Sequence, residues 1–251
     1  RESELIRVLE DRDRDGRADT SRVFAEGFSG LLDGIASGVL ARKGSVYFTN
    51  IPHLWKLEDR DRDGRADERE SLSFGYGVRF SLTGHDLHGM KWGPDGKLYF
   101  TVGDRGADVT TREGRRLSYP DEGICFRCNP DGSNLEVFAR GLRNPQELAF
   151  NEFGDLFTGD NDSDHGDRER WVHIVEGGDS GWRVGYQFSE QAPGGVWNAE
   201  ALWQLQFPGQ AAYLLPPVAH IDNGPSGLVY YPGTGLPESY RGHFFLCHFK
   251  G

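Results

Sequence analysis

Apolar residues in this 251-residue chain arrive in short runs, and inside those runs they alternate with polar ones. KLYFTV at 97–102 and LAFNEFGDLF at 148–157 both step through the chain with a period of two, the signature of strands. The runs are cut short by glycine and proline, 35 and 12 of them respectively, which mark frequent tight turns. No segment holds a helical period over about twelve residues. The pattern predicts an all-β chain.

One pattern recurs: an apolar strand, a turn containing glycine or proline, then an aromatic-rich strand that ends in a polar loop. Four copies are legible, GIASGVLARKGSVYFTN from Gly34, HGMKWGPDGKLYFTVGD from His88, QELAFNEFGDLFTGDND from Gln146 and SGLVYYPGTGLPESYRGHFFLCHFKG from Ser226. In the second copy GPDGK is a strong turn, because proline presets φ and glycine accepts a positive one. Repeats of this length bury their apolar faces by radiating as blades about an axis. Residues 1–251 are therefore expected to be part of a single β-propeller domain, holding about four blades, with the N- and C-terminal blades incomplete. The loops TNIPH, TVGDRGAD and TGDNDSDHGD would converge at one end of that axis.

A second repeat is exact. LEDRDRDGRAD occurs at Leu9–Asp19 and again at Leu57–Asp67. DRDRDGRAD places oxygen donors at positions 1, 3, 5 and 9 of a loop with glycine at 6, the spacing of calcium-binding loops of EF-hand type. The first copy offers Asp11, Asp13, Asp15 and Asp19 with the Arg17 carbonyl. The second offers Asp59, Asp61, Asp63 and Asp67 with the Arg65 carbonyl, and adds Glu70 at position 12. Strand-like segments flank both, so each loop would staple a hairpin. The bland reading is an exposed turn in which arginines neutralise the acids; glycine in register and the duplication favour a cation. A third acidic run, Asp160, Asp162, Asp164 and Asp167, lacks that register. It would be a cation site of another kind or a solvated loop.

The net charge of −11 argues against nucleic acid and anionic membranes as partners. No run of about 18 apolar residues is present to form a membrane-spanning helix. With no initiator methionine, and with ends that fall beside strands, the chain reads as a piece of a longer polypeptide. Cys125 and Cys128 lie three apart in a strand, on opposite faces, which disfavours a disulfide between them; they and Cys247 read as core residues.

His85 precedes one predicted strand and Asp104 ends its hairpin partner, so the two can meet at one rim. A carboxylate against imidazole fixes the tautomer and raises basicity, which suits a general base; a plain rim hydrogen bond is the competing reading. His88, at the strand start, is expected to face inward. In GLRNPQELAF, Arg143 and Asn144 stand just before another inner strand, where guanidinium and amide could bind an anionic or quinonoid ligand or simply close a turn.

HDLHGMKWGPDGKLYFTVGD, GLRNPQELAF, EGGDSGW and GPSGLVYYPG…YRGHFFL, in that order, resemble the soluble glucose/sorbosone dehydrogenase family. Within it the chain most resembles the large exported proteins described as membrane-bound dehydrogenases, which share DxDxDG hairpins. The resemblance implies a six-bladed β-propeller that binds pyrroloquinoline quinone (PQQ) and Ca2+ and oxidises sugars, passing electrons to an external acceptor such as a cytochrome. It also implies an exported protein, periplasmic or associated with the cell envelope. By motif, the resemblance implies His85 as the catalytic base, Asp104 as the residue that orients it, Arg143, Asn144 and Lys250 as cofactor contacts, and Arg143 also as a catalytic residue that stabilises charge developing on the quinone oxygen. The Asp160–Asp164 loop falls on one whose backbone carbonyls hold the catalytic calcium. The chain departs from the family there: Asp162-Ser163 replaces a Gly-Pro, and a cofactor-contacting glutamine has no counterpart around Phe28–Leu32. Those departures keep a second function open, a non-catalytic calcium-stapled propeller that binds glycans or proteins, or serves as a structural subunit of a larger assembly.

Overall fold

The structure is a computed structural model and describes residues 4–79, 84–188, 194–210, 214–221 and 224–249. It opens on a hairpin of β1 (Leu5–Glu10) and β2 (Thr20–Glu26). The first four-stranded antiparallel sheet follows in simple meander order: β3 (Ala36–Arg42), β4 (Ser45–Asn50), β5 (His53–Glu58) and β6 (Glu68–Phe74).

The second sheet runs β7 (Leu87–Trp92), β8 (Leu98–Val102), β11 (Gly123–Cys128) and β12 (Glu136–Leu142). A side hairpin of β9 (Ala107–Thr110) and β10 (Arg116–Tyr119) is inserted between its second and third strands. The third sheet comprises β13 (Ala149–Phe150), β14 (Leu156–Asp160), β15 (Glu169–Ile174) and β16 (Ala219–Ile221). Between its last two strands lies a long excursion carrying the short helix α1 (Gly195–Ala199). A two-stranded sheet, β17 (Pro225–Tyr230) and β18 (Phe244–His248), ends the fold.

Each of the four legible copies supplies the first two strands of one sheet. The innermost strands share an axis: Ile35 and Ser37 at β3, Asp86 and His88 at β7, Gln146 and Glu147 just before β13, and Ser226 and Gly227 on β17 together line a cavity of about 300 Å³. That is the arrangement of propeller blades.

Period-two burial explains why the blades stack. On β8, Leu98, Phe100 and Val102 point into a core shared with Leu54, Leu72 and Tyr76 of the first blade. Tyr99 points the other way, into a core with Leu148, Leu156 and Val172 of the third. Buried on both faces, the strand has almost no polar side chain to spare. Cys125 and Cys128 divide in the same manner, one to each core, and both are free thiols. Burial pushes the Cys128 thiol up to about 12, so it is inert at neutral pH. Cys247 departs from the core expectation. It is exposed, because no further strand or blade covers that face of β18 among the described residues.

The duplicated loops join β1 to β2 and β5 to β6, and they have the same shape. Arg14 and Arg62 have φ of 65° and 64°, and Gly16 and Gly64 have φ of 90° and 89°. In each copy the first aspartate accepts from the glycine N–H, at 2.9 Å from Gly16 to Asp11 and 2.9 Å from Gly64 to Asp59. The loops also touch, since the Arg22 guanidinium lies flat on Gly64, where a Cβ would fall 2.4 Å from Cζ. Position 12 of the first loop thus packs against the second.

Candidate functional site

The site grows from the end of β8. Gly103 and Asp104 follow Val102, and Gly103 N donates to Asp86 O at 3.1 Å, holding the 84–86 segment against the strand end. Only glycine fits here, because a Cβ at 103 would lie 2.7 Å from His85 Cβ and 2.9 Å from Asn144 Oδ1. This closeness brings three blade-end segments together.

His85 and Asp104 are both buried, and His85 Nδ1 lies 2.6 Å from Asp104 Oδ1. A carboxylate only accepts, so Nδ1 is the donor, and in the neutral ring Nε2 carries the lone pair. Asp104 is held from two further directions. Its Oδ2 accepts from Trp182 Nε1 at 2.9 Å, and its backbone N–H donates to Arg143 O at 2.7 Å.

Trp182 then connects to the guanidinium, with Arg143 Cζ 5.6 Å from its ring centroid. His85, Asp104, Trp182 and Arg143 therefore form one contiguous rim cluster. Sequence reasoning did not single out Trp182. Its signal was an aromatic residue with one polar handle set among glycines in EGGDSGW, placed in the excursion between β15 and β16.

Arg143 and Asn144 are anchored through their backbone. Asp160, fully buried at the end of β14, accepts from Arg143 N at 3.0 Å and from Asn144 N at 2.7 Å. Its other partner is the guanidinium of Arg170, itself buried, which also donates from Nη1 to Ser180 O at 2.9 Å and stacks 4.9 Å from the Trp197 ring. Asp160, which was expected at a cation, here has its oxygens committed to protein donors. The Arg143 side chain pairs with Asp164, and its buried Nε–H has no partner among the described residues.

The rest of the acidic loop is held from above. Trp197 packs edge-on against Trp182 at 5.0 Å and donates to Asp167 at 2.8 Å, and Asp167 also accepts from Ser163 N at 2.8 Å. Two buried oxygens have no donor among the described residues, Asn161 Oδ1 on the loop and Glu169 Oε2 at the start of β15. Burial pushes the Asp162 and Glu169 carboxyls above the usual carboxylate range; neighbouring acids add to this, while Arg143 opposes it at Asp162 and the Gly224 N–H at Glu169. Such an excess of acceptor oxygens suits a hard cation.

His88 lies deeper, on the axial cavity. Its Nδ1 is 3.2 Å from Thr101 Oγ1 and its Nε2 is 3.2 Å from Asn144 Oδ1, so neither nitrogen is available to a ligand. Burial pulls its pKa from 6.5 down to about 4. The neutral form is favoured in the folded state, so stability is full above pH 6.5 and is lost as pH falls toward 4. The expected loss is about 3 kcal/mol, and urea melts of His88→Gln should be flatter over the same range than those of the unaltered protein.

In the duplicated loops, Asp11, Asp13 and Asp15 bring carboxylate oxygens within 4.8 Å of one another, as do Asp59, Asp61 and Asp67. Asp63 and Asp19 lie on the same loops, where they accept from Arg65 N at 2.7 Å and Arg12 N at 2.6 Å respectively. Glu70 is not brought to the second cluster. It stands on β6 and pairs with Arg112. Lys250 lies outside the described residues.

No curated protein matches the chain. Several solved structures share its fold. PQQ-bound aldose sugar dehydrogenase from Streptomyces coelicolor is 20% identical with a TM-score of 0.57, over 87% of this chain and 64% of that one. A glucose dehydrogenase is 17% identical with a TM-score of 0.59, over 83% and 64%. The soluble aldose sugar dehydrogenase of Escherichia coli, in its apo form, is 15% identical with a TM-score of 0.57, over 92% and 72%. The chain thus spans 64% of the length of the first two. At these identities the likeness establishes the propeller fold expected from the repeats, and not the chemistry. A family model described as a domain of unknown function, DUF7133, matches residues 1–250, and the chain belongs to that family.

Proposed function

We propose that this chain forms much of the active site of a quinoprotein that oxidises a sugar or related alcohol or aldehyde, with PQQ and Ca2+ as cofactors and His85 as general base. The observation that carries the reading is the short His85–Asp104 contact, backed by Trp182, with the buried Arg143 guanidinium across the same indole. When bound, PQQ supplies the hydride acceptor. His85 Nε2, unprotonated, takes the proton of the substrate hydroxyl, and Asp104 stabilises the imidazolium that results. The cluster is buried, which keeps water from competing for that proton.

Arg143 fits an anionic or quinonoid ligand because its buried Nε–H is unpartnered among the described residues, a donor that costs stability until something accepts from it. Asn144 would present its amide beside it. Lys250 would complete the contact set. Asn161, Asp162 and Glu169 would hold the catalytic cation with side-chain oxygens, in place of the backbone carbonyls that the family resemblance implies. Electrons would leave to an external acceptor such as a cytochrome.

The test is to add PQQ and Ca2+ to the full-length protein and follow bleaching of a redox dye with a panel of aldoses. Bleaching that needs both cofactors supports the reading; none with any aldose contradicts it. One observation favours a non-catalytic binding propeller instead, namely that Asp164 already occupies Arg143.

The duplicated loops are proposed as calcium staples, with Asp11, Asp13 and Asp15 and with Asp59, Asp61 and Asp67 as their cores. Chelation is expected to lower the melting temperature, each site contributing about 2.7 kcal/mol when calcium is a hundredfold above its Kd. An Asp13→Asn, Asp61→Asn double variant should lose most of that calcium response. An unchanged response would rule the staples out.

A further inference from the structure

The pairing of Arg143 with Asp164 is lopsided. The Arg143 side chain is 7% exposed and that of Asp164 is 67% exposed. A buried guanidinium without a counter-ion is strongly destabilising, so some carboxylate must stand against it. Here that carboxylate belongs to a side chain about two-thirds exposed to water.

Arg143 cannot retreat, because Asp160 grips its backbone N–H at 3.0 Å and Trp182 lies along its guanidinium. Asp164 can. It sits at φ +63° on the loop between β14 and β15, and its backbone N–H reaches Asp162 Oδ1 at 3.2 Å. Side-chain rehydration costs an exposed carboxylate little. The guanidinium meanwhile keeps a buried Nε–H that no described residue accepts from, so the fork is only partly filled by its resident acid.

We propose that Asp164 is a displaceable counter-ion for Arg143, and that the site admits carboxylate-bearing ligands by exchanging Asp164 for the ligand's own carboxylate. A neutral ligand would have to leave the ion pair intact and reach only the Nε–H. A carboxylate can take Nε and Nη2 together as a bidentate pair and release Asp164 to water. Asp162, the other acid near the guanidinium, is about half-buried and already crowded by Asp164 and Asp167, so departure of Asp164 also relieves repulsion there. The inference rests on the ligand site proposed above and adds the chemical class it selects and the residue that sets its affinity.

Asp164→Asn takes the counter-ion from Arg143 and is expected to lower the melting temperature; because the position is exposed and asparagine tolerates its positive φ, the fold itself should be retained. PQQ, a tricarboxylate, is titrated in the presence of Ca2+ by quenching of tryptophan fluorescence. Asp164→Asn is expected to tighten binding about tenfold, whereas Arg143→Gln weakens it. Unchanged or weaker binding by Asp164→Asn overturns the proposal. A second arm does not depend on PQQ: melting temperature in sodium sulfate against sodium chloride at matched ionic strength. Asp164→Asn should show sulfate-specific stabilisation that the unaltered protein and an Arg143→Gln, Asp164→Asn double variant lack. If PQQ binds no variant, the cofactor reading falls and the sulfate arm decides alone. Stabilisation then upholds the counter-ion role, and its absence overturns it.

Discussion

In the protein loaded with PQQ and Ca2+, His85→Gln is expected to lower kcat/KM for an aldose by about 10³-fold, within the range that a positioned general base contributes. The imidazole is the group placed to move a proton at this rim. Its Nδ1 is committed to Asp104, and the carboxylate is itself fixed by Trp182 and by the backbone of the Arg143 turn. His88 cannot substitute, because both its nitrogens are engaged and it lies on the axial cavity. PQQ binding should change little, since His85 is not part of the Arg143 fork. Measured together, dye reduction and cofactor titration separate loss of the base from loss of the site. If His85→Gln keeps full activity in a protein that turns over, another group is the base.

The second large effect concerns stability. Asp160→Ala is expected to cost about 3–5 kcal/mol, because it leaves the Arg170 guanidinium buried and unpaired and strands the backbone N–H groups of Arg143 and Asn144. For a domain of this size that is a fall in melting temperature of about 10 °C or more. The same loss should appear with and without a chelator, which distinguishes an internal anchor from a metal ligand. A loss that vanishes in chelator would show that Asp160 acts through a bound cation. Asp160→Asn, of the same shape, should recover part of the loss by retaining an acceptor.

Much of the architecture was legible because strand and turn chemistry repeat locally. Each strand–turn–strand copy begins within a few residues of an innermost strand, and the alternation in KLYFTV is the alternation of the two inter-blade cores. The meeting of His85 with Asp104 was also within reach, since one precedes and the other follows paired strands of a single sheet.

What escaped depends on long-range packing. Trp182 reaches Asp104 from an excursion in the next blade, a contact that no local period announces. Asp160 read as one acid in a run, yet the end of β14 buries it beneath Arg170, a residue that strand pairing places opposite it. Glu70 held the right loop position by spacing, but β6 has already begun there, and the strand carries it toward Arg112. Cys247 looked apolar in sequence and is exposed, because among the described residues no further strand or blade covers its face of β18.

The proposed oxidation site depends on blade ends from different sheets delivering an imidazole and a guanidinium to one ligand. A crystal structure of the full-length protein grown with PQQ and Ca2+ tests this most directly. The account predicts a planar tricyclic density held by the Arg143 guanidinium and facing His85 Nε2 across the space left for substrate, with Asp164 turned out to solvent. Density elsewhere, or a cluster that stays closed over the Arg143–Asp164 pair at saturating PQQ, would contradict it.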